Sequence, residues 1–520
     1  MSSPPFRERS SGILLHPTSL AGPFGVGDIG PAAHRFVEFL ARSGQAWWQM
    51  LPVMPPGGGD SPYDSPSAFA GSPLLVSLEL LARDGWLDEA DLASPDSLRT
   101  APRALYDAAR DFRDRKLRKA FAAFEARASD AERRGLAAFS ERENDWLDDH
   151  CTFAALSRAH AGAPWTRWPD DLARREAPAL ERARVAHASE IGYRRFVQFV
   201  FASQWAELRA RAQALGVRLL GDVPIYVSHD SADVWSQRGV FRLFENGERA
   251  ALAGVPPDYF SADGQLWGNP VYDWNALRAS GYSWWLARLR HTLERFDAAR
   301  LDHFIGFHRA WEVPAGARSA RDGHFVDVPG DDFLRTARDA FGSLPFIAED
   351  LGALTEDVVR LRDRFELPGM RVLEFAFSSS TWREYQPHRY ERRTVVSTGT
   401  HDNDTVVGWL AAADREPDEL RATELRAERA RALAYAGSDG REPHWDMLRV
   451  ALASVANTAI FPIQDLLGLG SHARMNVPGT PAGNWTFRID ESSLTPAVAE
   501  RLRLLGETYE RVPANLAGRG

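Results

Sequence analysis

Leu208-Arg209-Ala210-Arg211-Ala212-Gln213-Ala214-Leu215-Gly216-Val217-Arg218-Leu219-Leu220-Gly221-Asp222-Val223-Pro224 is the stretch that decides the fold. Leu208, Ala212 and Leu215 recur at helical spacing on one face, and Gly216 stands where a glycine ends a helix. The apolar run 217–220 then reads as a buried strand, and an acid, Asp222, follows it. The same order returns downstream. A helical stretch over 333–341 stops at Gly342, and 345–348 rises as a strand into Glu349. Thr355 is placed to cap a helix running through Phe365, and Leu367-Pro368-Gly369 turns the chain into the apolar run 370–377.

Eight strand runs are predicted in this way: 13–15, 47–51, 217–225, 299–302, 345–349, 370–377, 394–397 and 459–464. Eight strands alternating with helices make an α/β chain of the (β/α)8 TIM barrel type. The distinctive polar residues His16, Asp222, Asp302, Glu349, His401 and Asp402 all fall at or just after the strand ends. A doubly wound open sheet also gathers its site at strand ends. The count of eight and the lack of a Gly-rich phosphate loop favour the barrel. The whole chain, 1–520, is therefore read as one catalytic barrel. An inserted, mainly helical subdomain over 75–187 separates the second and third strands, and a loop or subdomain insertion over 226–298 follows the third.

Composition narrows the function. Of 520 residues, 44% are hydrophobic and 26% charged, as in ordinary globular proteins. The net charge of −9 leaves no basic stripe to displace counterions from nucleic acid. Cys151 is the single cysteine, which excludes intrachain disulfides and Cys-based metal sites. Residues 1–12 are polar, with no apolar signal core, and no apolar run is of membrane length. No membrane partner and a cytoplasmic location are the expectation. Trp is abundant, 17 against 11 Tyr. Such flat side chains suit sugar faces, and they equally suit the core of a large protein.

Three acidic motifs close separate predicted strands: Arg300-Leu301-Asp302-His303, Ala348-Glu349-Asp350-Leu351-Gly352 and Gly399-Thr400-His401-Asp402-Asn403-Asp404. Several carboxylates with no thiol point to glycosidic bonds, whose cleavage uses a pair of acids. Arg300 beside Asp302 would keep a nucleophilic carboxylate ionised and aimed, although a structural Arg–Asp pair has the same sequence. Of Glu349 and Asp350 only one is expected to face the site, because adjacent residues at a strand end point apart. A general acid there needs its pKa raised by burial or by neighbouring anions. His401 and Asp402 read either as a grip on sugar hydroxyls or as metal ligands; the absence of His-x-His or His-x-x-x-His spacing counts against metal. Two loops look substrate-facing. Ser61-Pro62-Tyr63-Asp64-Ser65-Pro66 follows Gly57-Gly58-Gly59. The segment from Gly254 through Tyr259 and Phe260 to Gln265-Leu266-Trp267-Gly268-Asn269-Pro270 joins aromatics to turn residues.

These motifs, with Gly12-Ile13-Leu14-Leu15-His16-Pro17-Thr18-Ser19-Leu20, Trp47-Trp48-Gln49, Gly221-Asp222-Val223-Pro224-Ile225-Tyr226-Val227, Asn476-Val477-Pro478-Gly479 and Gly483-Asn484-Trp485, resemble the 4-α-glucanotransferases. These are the amylomaltases or disproportionating enzymes, relatives of the α-amylase clan. The resemblance runs over nearly the whole chain. It implies Asp302 as nucleophile, Glu349 as general acid/base and Asp402 as transition-state stabiliser, accompanied by Arg300 and His401, with Asp222 at the donor sugar. It places Gln265, Trp267 and Phe375 along the glucan groove, and Tyr63 at a glucan contact away from the reacting bond. It implies malto-oligosaccharides and α-1,4-glucans as partners and no metal or organic cofactor. Ser378-Ser379-Ser380 stand where family members often carry Asp, and Ser72 where Asn is common. A hydrolase with the same three acids and a catalytically silent glycan-binding scaffold are the competing readings.

Overall fold

The computed structural model describes residues 5–257, 263–352, 354–378, 385–480 and 482–517. Its strands in chain order are β1 (Ser10–Leu14), β2 (Trp47–Gln49), β3 (Arg218–Val223), β4 (Ala251–Val255), β5 (Gln265–Pro270), β6 (Ala298–Leu301), β7 (Arg309–Pro314), β8 (His324–Asp327), β9 (Phe346–Ala348), β10 (Gly369–Val372), β11 (Thr394–Ser397) and β12 (Thr458–Pro462). Eight of them close a parallel barrel in the order β1-β12-β11-β10-β9-β6-β3-β2. Every predicted strand run overlaps one barrel strand. The barrel strands are buried almost throughout, as expected of strands covered by helices outside and packed side chains within.

The helices that cover the barrel end as their sequences direct. Ala188–Leu215, 28 residues long, stops at Gly216, which takes φ 81° as only a glycine does comfortably. Gly330–Phe341 stops at Gly342 in the same left-handed region; Glu356–Arg364 starts after Thr355, whose side chain makes no capping hydrogen bond, and ends one residue before Phe365. Gly221, within β3, answers a different need: a Cβ there would lie 2.5 Å from the Phe296 ring, so the strand packs at backbone contact.

Two features differ from the sequence reading. The run 370–377 is strand only to Val372; Leu373–Phe377 is a 3-10 turn. A short apolar run does not reveal by periodicity whether it is strand or helix. Between that turn and β11 the described residues contain only the further 3-10 turn Pro387–Arg389, so this crossover shows no α-helix among them. The second difference is a four-stranded antiparallel sheet in the order β5-β4-β7-β8. It takes β4 and β5 from before β6 and β7 and β8 from after it, so a boundary at 298 divides one structural unit.

Between β2 and the helix Ala188–Leu215 the chain is helical, with Tyr106–Arg127, Asp130–Arg142 and Asn144–Ala159 as its longest pieces. Arg113 ties this region to the barrel. Its buried guanidinium donates to Asp28 Oδ2 at 2.8 Å, while Asp28 Oδ1 accepts the Gly30 N–H at 2.9 Å. Removing one partner of so buried a pair costs about 3–5 kcal/mol, because the other charge is left unmatched. The tryptophans mostly fill the interior: Trp47, Trp48, Trp165, Trp235 and Trp285 are among the largest fully buried side chains. Trp267 is exposed.

Candidate active site

Register brings the acids together. In the β3–β6 pairing Asp222 stands opposite Arg300, and in the β6–β9 pairing Arg300 stands opposite Ile347. Side chains two apart along a strand share a face, so Asp302 joins Arg300 and Glu349 joins Ile347 at the C-terminal mouth. Arg300 is the hub. Its Nε donates to Asp222 Oδ2 at 3.0 Å, and Nη2 donates to Asp302 Oδ1 at 2.9 Å and to the Tyr63 hydroxyl at 3.0 Å. Nη1 lies 3.0 Å from Glu349 Oε2. Tyr63 in turn donates to Asp222 Oδ2 at 2.8 Å.

Depth separates these groups. The Arg300 and Asp222 side chains are 3% and 0% exposed, whereas Asp302 and Glu349 are 24% and 22% exposed. The buried pair forms a floor, and Asp302 and Glu349 are the carboxyls a ligand can reach.

One guanidinium serves three carboxyls, so the cluster favours keeping a proton. Burial raises the pKa of Asp222, against the pull of Arg300. Burial likewise raises Asp302, again opposed by Arg300 and reinforced by Asp222. Glu349 is raised by burial, lowered by Arg300 and raised again by Asp302. Its Oε2 accepts the His303 N–H at 2.6 Å. His303 adopts φ 47° there, a left-handed conformation uncommon outside glycine and found at functional sites. Burial lowers the pKa of the His303 ring against the pull of Glu349, and the ring packs edge-on against Trp267 with centroids 4.9 Å apart.

Asp350 turns the other way, as the strand-end argument expects. It is buried, pairs with Arg362 and accepts the Met370 N–H at 2.7 Å. This acid holds the barrel wall.

The third motif closes the far side. His401 Nδ1 lies 3.5 Å from the Tyr63 hydroxyl, and the two rings stack at 5.0 Å. His401 Nε2 is 3.4 Å from Asp402 Oδ1. Asp402 is 45% exposed, the most open of the acids. Two residues beyond β12 fix it, and the strand grammar gave no sign of either. Asn476 Nδ2 donates to Asp402 Oδ1 at 2.6 Å, and Arg474 donates to the Asp402 carbonyl. Arg474 Nε also donates to the Asn476 carbonyl at 2.8 Å, and the Asn476 N–H donates to the His401 carbonyl at 3.0 Å. Asn476→Ala removes a hydrogen bond to a charged group, worth about 1.5–3 kcal/mol. If that bond holds Asp402 in its reactive pose, kcat should fall roughly 10- to 100-fold with KM nearly unchanged in steady-state assays.

Tyr63 corrects the expectation taken from resemblance. Its hydroxyl sits on Arg300 and Asp222, inside the catalytic cluster and not away from it. Gln265 and Trp267, two apart on β5, share a face, and Trp267 Nε1 donates to Gln265 Oε1 at 3.1 Å. Phe375, half-buried, lies in the turn Leu373–Phe377. That turn is tied to the third motif by Asn403 Nδ2, which donates to Glu374 Oε2 at 3.1 Å. Tyr259, Phe260, Ser379 and Ser380 lie outside the described residues.

Known proteins match this chain over nearly its whole length. A family model described as 4-alpha-glucanotransferase matches residues 15–494. The 4-alpha-glucanotransferase of Thermus thermophilus is 46% identical over 509 residues, covering 97% of this chain and 99% of its own. That of Synechocystis is 45% identical over 510 residues, covering 97% and 98%. The amylomaltase of Streptococcus agalactiae, solved in complex with acarbose, superposes with a TM-score of 0.92 at 35% identity, covering 97% of this chain and 100% of that one. The barrel, its acid-lined mouth and these full-length matches place the chain in the 4-alpha-glucanotransferase family.

Proposed function

We propose that the chain cuts an α-1,4-glucan, holds one part as a covalent ester and passes it to the 4-hydroxyl of another malto-oligosaccharide. The observation that carries the mechanism is that one guanidinium holds both acids, with Arg300 Nη2 2.9 Å from Asp302 Oδ1 and Nη1 3.0 Å from Glu349 Oε2. An inverting pair stands about 6.5–9.5 Å apart to admit a water, whereas carboxyls on the two terminal nitrogens of one guanidinium are near neighbours. That is the arrangement of retaining enzymes, in which one acid is the nucleophile.

In the first step an Asp302 oxygen bonds to the anomeric carbon as the glycosidic C–O bond breaks. Glu349 gives its proton to the departing oxygen. In the second, the Glu349 carboxylate takes the proton of the acceptor 4-hydroxyl, whose oxygen attacks the anomeric carbon and expels Asp302. Two displacements retain the configuration. Arg300 neutralises the returning carboxylate. Asp222 and Tyr63 anchor Arg300, while Asp402 and His401 hold the distorted sugar. Trp267, Gln265 and Phe375 line the groove.

Incubation with pure maltotriose, with products resolved by chromatography, is expected to give glucose and a ladder of longer oligosaccharides, with or without EDTA. Glucose and maltose without longer products would make the chain a hydrolase. No turnover would favour a binding scaffold.

The working form has Asp302 ionised and Glu349 protonated, which sets the sign of the pH profile. Activity falls on the acid side as Asp302 takes up a proton and on the alkaline side as Glu349 loses one. Burial raises both groups, so both limbs are expected above the ordinary carboxylate values of 3.8 and 4.5. Measured as kcat/KM against pH, a profile whose alkaline limb is absent would remove Glu349 as the acid.

A further inference from the structure

Away from the barrel mouth, one grouping among the described residues has the donor set of a metal site: Glu143, His291 and Glu294, whose ligand atoms all lie within 4.8 Å of one another. We propose that these three side chains bind a single divalent transition-metal ion of the Zn²⁺ type. Nothing in the glucan chemistry uses them.

The imidazole is oriented for it. His291 Nε2–H donates to the Phe69 carbonyl at 2.9 Å, which leaves the Nδ1 edge facing the two carboxylates. A ligating histidine is usually held in this way, its other nitrogen bound to a backbone carbonyl. Nδ1 lies 3.6 Å from Glu143 Oε2 and 3.8 Å from Glu294 Oε2. Both spacings are too long for hydrogen bonds, so a protonated ring is not what holds the group together. Donors about 2.0–2.2 Å from one tetrahedral ion stand roughly 3.3–3.6 Å apart; the two His291 spacings are near that range, and all three ligand atoms lie within 4.8 Å of one another.

The carboxylates are suited to the task. His291 and Glu294 are three apart on the helix Ser283–Arg295 and therefore share a face. Glu143 is aimed by two donors, Arg142 Nε on Oε1 and Trp146 Nε1 on Oε2, each at 2.9 Å. Glu294, largely exposed, completes the set from the solvent side. One imidazole and two carboxylates favour Zn²⁺ or Mn²⁺ over Mg²⁺ and Ca²⁺, which prefer oxygen alone. Three protein ligands leave a position for water.

The location gives the ion a structural role. Glu143 joins the helices Asp130–Arg142 and Asn144–Ala159, the helix Ser283–Arg295 leads into β6, and Phe69 belongs to the loop that carries Tyr63. An ion here would fasten the helical insertion to the barrel and stiffen the Tyr63 loop from behind.

The test is calorimetric titration of EDTA-stripped, desalted protein with ZnCl2, with MgCl2 and CaCl2 alongside. One Zn²⁺ per chain is expected, bound at least 10-fold more weakly by Glu294→Gln and not measurably by His291→Asn. Zn²⁺ should raise Tm in the parent and not in His291→Asn, while Mg²⁺ and Ca²⁺ leave it unchanged. Glu294 is exposed, so its variant decides the matter even if His291→Asn fails to fold. Absence of saturable uptake, or parental affinity in a folded Glu294→Gln or His291→Asn, overturns the assignment. The readout is binding, and it stands or falls separately from glucan transfer.

Discussion

Asp302→Ala is expected to abolish transfer between malto-oligosaccharides, lowering kcat by on the order of 10⁴-fold or more in the maltotriose assay. Without the nucleophile there is no ester, and the remaining groups bind substrate without splitting the reaction into two easier steps. The loss should not come from unfolding. Arg300 keeps its contacts to Asp222, Tyr63 and Glu349, so its buried charge stays matched. A Tm close to the parent's alongside the lost turnover would assign the effect to chemistry. Turnover within 10-fold of the parent would remove Asp302 from the mechanism.

The second large effect separates the two acids. Glu349→Gln keeps the shape and loses the proton, so transfer from maltotriose should fall roughly 10²- to 10⁴-fold, the usual range for general acid catalysis. A donor whose leaving group needs no proton, maltotriosyl fluoride, should restore the first step. Fluoride release in a rapid burst, followed by slow turnover, is the expected signature. The base that activates the acceptor is missing as well. Equal losses on both donors would mean that Glu349 acts through structure and not as the acid.

How much of this was legible in the sequence follows from what is local. The plainest barrel strands, β3 and β9, are apolar runs preceded by a helix stop and followed by an acid, a pattern carried by neighbours in the chain. The antiparallel sheet is different. Pairing of β4 with β7 joins residues some 60 positions apart, and the exposure of β5 and β8 leaves no alternation to read. The turn Leu373–Phe377 escaped because strand and 3-10 turn share the same apolar residues.

The site divides in the same way. Asp302, Glu349 and Asp402 stand at strand tips and could be found by looking there. Asn476 follows the last strand and reaches Asp402 only because the chain folds back after β12. Tyr63 was recognised as a substrate-facing aromatic, but its contact with Arg300 depends on how the loop after β2 closes over the barrel. Chain neighbourhood pairs Arg300 with Asp302, and the resemblance sets it beside the three acids without saying how. Its grip on Glu349 and Asp222 comes from the register of β3, β6 and β9, which only the closed barrel supplies.

The central claim is that the glucan spends part of each cycle bonded to Asp302. Glu349→Gln mixed with maltotriosyl fluoride and quenched in acid, followed by intact-protein and peptide mass spectrometry, tests it directly. The expected result is a gain of one maltotriosyl unit, mapped to the peptide containing Asp302 and absent when Asp302 is also replaced by Ala. Fluoride release with no covalent adduct, or an adduct on Asp402, would contradict it.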